Sequence, residues 1–100
     1  MGFYVYMLLC ADGSYYTGHT DDLESRLAAH ARGKLGGYTK SRRPVRLVYS
    51  EEFESRQTGF ERERQFKGWS RSKKEALINL QWQRLKALAR TARPRTLPPA

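Results

Sequence analysis

Cysteine is nearly absent from this 100-residue chain, with Cys10 the single example. A lone thiol excludes an intramolecular disulfide framework and any multi-cysteine metal site, and it fits a reducing, cytoplasmic compartment. Long hydrophobic runs are missing too: no stretch approaches the roughly 18 uncharged apolar residues that a membrane-spanning helix needs. The apolar opening, Met1 to Cys10, has no basic flank and runs into Asp12-Gly13, so it reads as a strand rather than a signal peptide. Acids are scarce in the last third. Residues 71–100 hold 8 basic groups and 1 acid, whereas residues 1–70 hold 11 basic and 9 acidic. Most of the net +9 charge therefore sits at one end, a pattern that points to a polyanion, nucleic acid ahead of an anionic membrane.

What is present fits a single small domain. Phe3 to Cys10 is β-branched, aromatic and apolar, and Ser14 to Gly18 is a second run of strand formers. Asp12-Gly13 between them signals a tight hairpin in which both residues take positive φ. A helix is expected over 21–32, capped by Thr20 or Asp21, with Glu24 completing a capping box and Gly33 stopping it. Residues 34–44 read as a basic, glycine-containing loop, and 45–53 as a third strand. A second helix follows over 55–67, with Phe60 and Phe66 as its largest apolar groups and Gly59 costing about 1 kcal/mol relative to alanine. Ser70 caps a third helix whose Leu77, Ile78, Leu80, Trp82, Leu85 and Leu88 give a broad apolar stripe, and Pro94 closes it. The expected fold is α+β, a three-stranded antiparallel sheet flanked by helices in the order ββαβαα. Residues 1–83 form the domain, and 84–100 a basic helical extension with a disordered end.

Four residues stand out by spacing. Tyr6 and Tyr16 are joined through the hairpin, and Arg26 and His30 lie four apart on one helix face. Each has an ordinary structural reading. Strand tyrosines pack, Arg26 has Asp22 four residues before it as an ion-pair partner, and a histidine near a helix C-terminus is favoured by the helix dipole.

As an ordered set they carry more. Tyr4-Val5-Tyr6, Tyr16-Thr17-Gly18, then Arg26 and His30 resemble the GIY-YIG nuclease domain, and most closely its small stand-alone bacterial members. These are similar to the nuclease module of the excision-repair endonuclease. Tyr38-Thr39, Arg43-Pro44-Val45, Leu47-Val48-Tyr49 and Arg62-Glu63 with Lys67 extend the match over residues 3–82. Tyr4 replaces the family's first glycine and Thr17 its isoleucine, and Asn79 is the candidate for an asparagine that many catalytic members carry.

The resemblance implies an endonuclease that hydrolyses DNA phosphodiester bonds with a divalent metal, Mg²⁺ or Mn²⁺, in a structure-specific and repair-related role. Branched, nicked or single-stranded DNA would be its substrate. It assigns Tyr6 to activating water, Tyr16 and His30 to orienting or relaying the proton, and Arg26 to the phosphate charge. Glu63 is the metal ligand implied, ahead of its neighbours Glu61 and Glu54. A neutral-pH tyrosine base needs a nearby cation to lower its pKa, a role for the metal or Arg26. His19 matches a basic position that would contact the scissile phosphate. In the loop, Lys34, Lys40, Arg42 and Arg43 suit phosphates, and Tyr38 suits an unpaired base. Arg84, Lys86, Arg90, Arg93 and Arg95, beyond the region of resemblance, look like an added electrostatic grip; the competing reading is an amphipathic tail lying on a membrane.

If the tail is that grip, truncation after Gln83 weakens DNA binding and flattens its salt dependence, the log–log slope falling by up to about 0.9 per phosphate contact removed. Fluorescence anisotropy across a salt series measures it, and an unchanged slope refutes the idea.

Overall fold

The computed structural model describes residues 2–35 and 37–92, without the side chains of 84–86 and 88–92. Three strands, β1 (Phe3–Leu9), β2 (Tyr15–Thr20) and β3 (Arg46–Phe53), form one antiparallel sheet in the order β2-β1-β3. Helices α1 (Leu23–Arg32), α2 (Arg56–Lys67) and α3 (Arg71–Ala92) complete the ββαβαα order, with a single turn of 3₁₀ helix at Lys40–Arg42. The α+β architecture is the one expected. By internal contacts the chain divides into two compact units, 1–69 and 70–100.

β1 is central because its residues are apolar without alternation, as a strand covered on both faces must be. Val5, Tyr6, Met7 and Leu8 are fully buried, and with Phe3, Cys10, Tyr49 and Phe66 they make the core. Each such side chain contributes about 1.5–3 kcal/mol by leaving water. Register divides the residues between faces. Phe3, Val5 and Met7 pair with Phe53, Glu51 and Tyr49 on the face that receives α2, while Tyr6 lies opposite Gly18 and Ser50 on the other. Between Met7 and Leu8 the β1–β3 register slips so that Val48 has no partner, a β-bulge.

The turns depart from expectation in informative ways. Only Gly13 has positive φ (84°) in the hairpin, not Asp12. The Gly13 N–H bonds to Cys10 O at 2.9 Å and the Cys10 N–H to Ser14 O at 2.8 Å. This makes a three-residue loop with a glycine bulge rather than a two-residue turn, which leaves Asp12 in ordinary backbone and frees its carboxylate for Ser14 and Arg42. α1 begins later than expected, capped by Asp22, whose Oδ1 accepts from the Ser25 N–H at 3.2 Å. Thr20 instead takes the Asp22 N–H at 3.0 Å in a turn just before the helix. α2 is capped by Ser55. The α3 stripe is narrower than the sequence pattern implied: Leu77 and Ile78 are half-buried, whereas Leu80 and Trp82 are exposed. Leu85 and Leu88 fall among side chains outside the described set, as does the tail beyond residue 92.

Gly59, which looked like a weakness in α2, has a packing reason. A Cβ there would fall 2.3 Å from Phe3 Cδ2, so the bare backbone lets the helix sit against that buried ring. Gly59→Ala is therefore expected to destabilise the fold by about 1 kcal/mol, overpacking outweighing the helix-propensity gain. Urea denaturation decides the sign, and a more stable variant would refute the packing account.

Candidate active site

A polar chain crosses the interior on the α1 side of the sheet. Tyr6 Oη lies 2.8 Å from His30 Nε2, and His30 Nδ1 lies 2.8 Å from Thr39 Oγ1, with all three residues buried. Burial pushes the Tyr6 phenol well above its ordinary value of 10.0; neighbouring Tyr16 and, more weakly, Glu63 add to the rise, while the Arg26 guanidinium opposes it by charge and by hydrogen bonding. A guanidinium only donates. The Tyr6 oxygen therefore accepts from Arg26, and its O–H points to His30 Nε2. His30 is then neutral with its proton on Nδ1, facing Thr39. Its pKa is lowered, by burial first and by the Arg26 charge second. Of the two cations expected to bring Tyr6 toward the neutral range, Arg26 does act in that direction, but desolvation is the larger effect.

Gly18 is where the site needs a glycine. A Cβ at Gly18 would lie 2.6 Å from Tyr6 Oη and 2.8 Å from Cζ, so the phenol passes over β2 at this residue toward the sheet edge. Tyr16 flanks it, its ring centroid 5.4 Å from His30 and 6.0 Å from Tyr38 in a stacked pair.

Glu63 stands on the opposite face, on α2, and is the buried carboxylate where Glu61 and Glu54 are exposed. Its Oε1 accepts from His19 Nδ1 at 2.7 Å and its Oε2 pairs with Lys67 Nζ at 3.1 Å. The set thus straddles edge strand β2, with Tyr6, Tyr16, Arg26 and His30 on one side and Glu63, His19 and Lys67 on the other. Glu63 is close enough for its charge to act on Tyr6. Among the described residues no group of three His, Cys, Asp or Glu side chains forms a metal cage. A cation bound here would have Glu63 as its one buried carboxylate and would keep most of its waters, as magnesium does.

The loop residues are placed unevenly. Lys34 and Lys40 are exposed. Arg42 is half-exposed but engaged within the chain, bonding Asp12 Oδ2 at 3.0 Å and Tyr38 O at 2.8 Å, with its guanidinium 3.8 Å over the Tyr38 ring. Arg43 donates to Lys40 O and Ala31 O. The Ala11 N–H also bonds Arg42 O at 2.9 Å, fastening the loop to the hairpin. Tyr38 remains exposed. Asp22 serves as the α1 cap, while Arg26 is engaged at Tyr6. Asn79 is exposed on α3, in the second unit, and the side chains of Arg84, Lys86 and Arg90 lie outside the described set. Thr39 and Lys67, which the sequence offered as pieces of the family match without a site role, join the site through His30 and Glu63.

Comparison with known proteins converges on one family. The sequence pattern of the GIY-YIG catalytic domain matches residues 2–76. A UPF0213 protein of Bacillus pumilus is 48% identical over 75 residues, covering 75% of this chain and 76% of the relative. A UPF0213 protein of Natronomonas pharaonis is 47% identical over 75 residues, covering 75% and 88%. Among solved structures, the UPF0213 protein BH0048 from Bacillus halodurans is similar at 46% identity and a TM-score of 0.54, with 80% of this chain and 85% of that one covered. Protein EF2693 from E. faecalis is similar at 36% identity and a TM-score of 0.57, with the same coverage.

The buried groups predict a two-sided pH profile of stability. His30 has a depressed folded pKa, so the unfolded chain binds more protons; stability is present above pH 6.5 and is lost as pH falls through the folded value. Tyr6 and Tyr49 are raised, Tyr49 to about 12 by burial and its bond to Glu51, so stability is present below pH 10 and is lost above it. Urea midpoints across pH should show this plateau, and His30→Gln should remove the fall that begins near pH 6.5. A variant profile identical to the parent would contradict the assignment.

Proposed function

Because the chain belongs to the GIY-YIG catalytic-domain family, we propose that it is a metal-dependent endonuclease hydrolysing DNA phosphodiester bonds. The observation that carries this reading is the Tyr6 hydroxyl, held between Arg26 and His30 at the β2 edge within reach of the Glu63 charge.

The chemistry needs an acceptor for the proton of the attacking water and a cation for the charge that builds on phosphorus. Arg26 supplies the second: its planar fork binds two phosphate oxygens and, being half-buried, acts where water screens less. Tyr6 supplies the first, in concert with His30. Its raised pKa makes free phenolate rare, so the Tyr6 proton passes to His30 Nε2 as the phenol oxygen takes the proton of water. His30 is suited to accept because burial keeps it neutral, and Thr39 holds its ring in the receiving orientation. Tyr16 packs beside both rings and fixes the Tyr6 phenol. Glu63 would hold the divalent ion, Mg²⁺ or Mn²⁺, which when bound supplies charge stabilisation to the phosphate. His19 and Lys67 aim the Glu63 carboxylate, and Lys34, Lys40 and Tyr38 meet the flanking DNA. Branched, nicked or single-stranded DNA and a repair role belong to this reading.

A second reading has one observation in its favour. Both Glu63 oxygens already have basic partners, as expected of a structural carboxylate in a nucleic-acid-binding module with weak or no catalysis.

The deciding experiment incubates purified protein with single-stranded, duplex, flap and branched DNA, with and without Mg²⁺ or Mn²⁺. Metal-dependent cutting is expected, and Glu63→Gln should reduce it by about a thousandfold or more while leaving DNA binding in EDTA intact. Cutting that survives the substitution sinks the Glu63 assignment. Salt-sensitive binding without cleavage on every substrate establishes the binding module.

A further inference from the structure

An aromatic ledge beside Glu63 joins His19, whose ring nitrogen aims that carboxylate, to Phe60, which the mechanism does not use. Phe60 lies one helical turn before Glu63 on α2 and is 38% exposed, unlike Phe66, the other large apolar group of the helix, which is buried. The His19 ring stands against it, centroids 4.8 Å apart and edge to face, and is itself 43% exposed. Beneath both lies buried Phe3, stacked on His19 at 5.5 Å and edge-on to Phe60 at 5.1 Å. Gly59 permits this arrangement by letting Phe3 approach the helix backbone. Arg56 adds a cation 5.1 Å over the Phe3 ring while pairing with Asp21. The outer rings are thus supported from below by a ring fixed in the core, and His19 links them to Glu63 through its 2.7 Å bond.

We propose that the Phe60–His19 ledge receives an unpaired base of the DNA strand next to the phosphate under attack, making an unpaired strand at the cut the preferred substrate. The proposal rests on the nuclease reading, which places that phosphate at Glu63. In a duplex both faces of a base are covered by its neighbours, so an exposed aromatic face can be used only by a base that has left the stack. Stacking on a protein aromatic suits any base, so the ledge selects for strand structure rather than sequence. Its position one helical turn from Glu63 keeps base and phosphate within one nucleotide's reach.

The test measures binding of full-length protein to a single-stranded and a duplex oligonucleotide in EDTA, for the parent, Phe60→Ala and Phe60→Tyr. Single-strand affinity should fall about tenfold in Phe60→Ala, recover in Phe60→Tyr and leave duplex affinity within about twofold. A 5-iodouracil-substituted single strand should photocrosslink to the peptide containing Phe60 or His19. Equal losses on both DNAs, no loss, or crosslinking elsewhere overturns the ledge, and Glu63-dependent cleavage by the parent then leaves the nuclease reading standing. A parent protein that neither binds nor cuts any DNA overturns both.

Discussion

The buried chain from Tyr6 through His30 to Thr39 organises the rest of the unit that holds the candidate site. It joins three separate pieces of sequence: the central strand, the last turn of α1 and the loop that follows. Buried polar groups left without partners cost about 1–3 kcal/mol each, so the loop must bring Thr39 to the histidine and α1 must present His30 to the phenol. Other features follow from that requirement. The loop is fastened to the hairpin by Ala11, Asp12 and Arg42, and Gly33 reverses the chain at the end of α1 with φ of 71°. Tyr38, adjacent to Thr39, is thereby laid on Tyr16.

The same chain would couple stability to the chemistry proposed for it. Burial keeps His30 neutral and Tyr6 protonated, which suits a proton acceptor and a donor waiting in line. A solvated version of the pair would titrate independently. The Arg26 charge acts on both, disfavouring the imidazolium and favouring the phenolate. It is therefore a common control on the two groups as well as the residue proposed to bind phosphate.

Edge strand β2 is the second organising element. With no strand beyond it, the two faces of the sheet come together along its rim. Gly18 lets Tyr6 cross from one side and His19 carries Glu63 on the other. Phe3 supports His19 and Phe60, and Gly59 makes room for Phe3. A glycine at each of two places thus admits an aromatic ring, and the two rings lie on opposite faces of one strand pair. The basic loop shows how tertiary contacts redistribute roles. Of its four cations, Arg42 and Arg43 hold the loop together, whereas Lys34 and Lys40 face solvent.

By itself the sequence determined the element order, because each element is specified by local chemistry: unbroken apolar character for β1, caps and stops for the helices, Asp-Gly for the hairpin. It also determined which residues are candidates for the site, because Tyr6, Tyr16, Arg26, His30 and Glu63 stand in ordered motifs of the family. Only the tertiary structure decided what those residues do to one another. The direction of the Tyr6 pKa depends on how much water its neighbours exclude, and burial by residues distant in sequence outweighs the Arg26 charge. Whether each neighbouring acid is buried is likewise a tertiary matter: Glu63 is, while Glu61 and Glu54 are exposed. Phe60 and Phe66 read alike in the sequence, as the largest apolar groups of one helix, because sequence cannot say whether a neighbouring element covers each position. Here Phe66 is buried, while Phe60, in a T-shaped contact with Phe3, stays partly exposed one helical turn from the buried carboxylate.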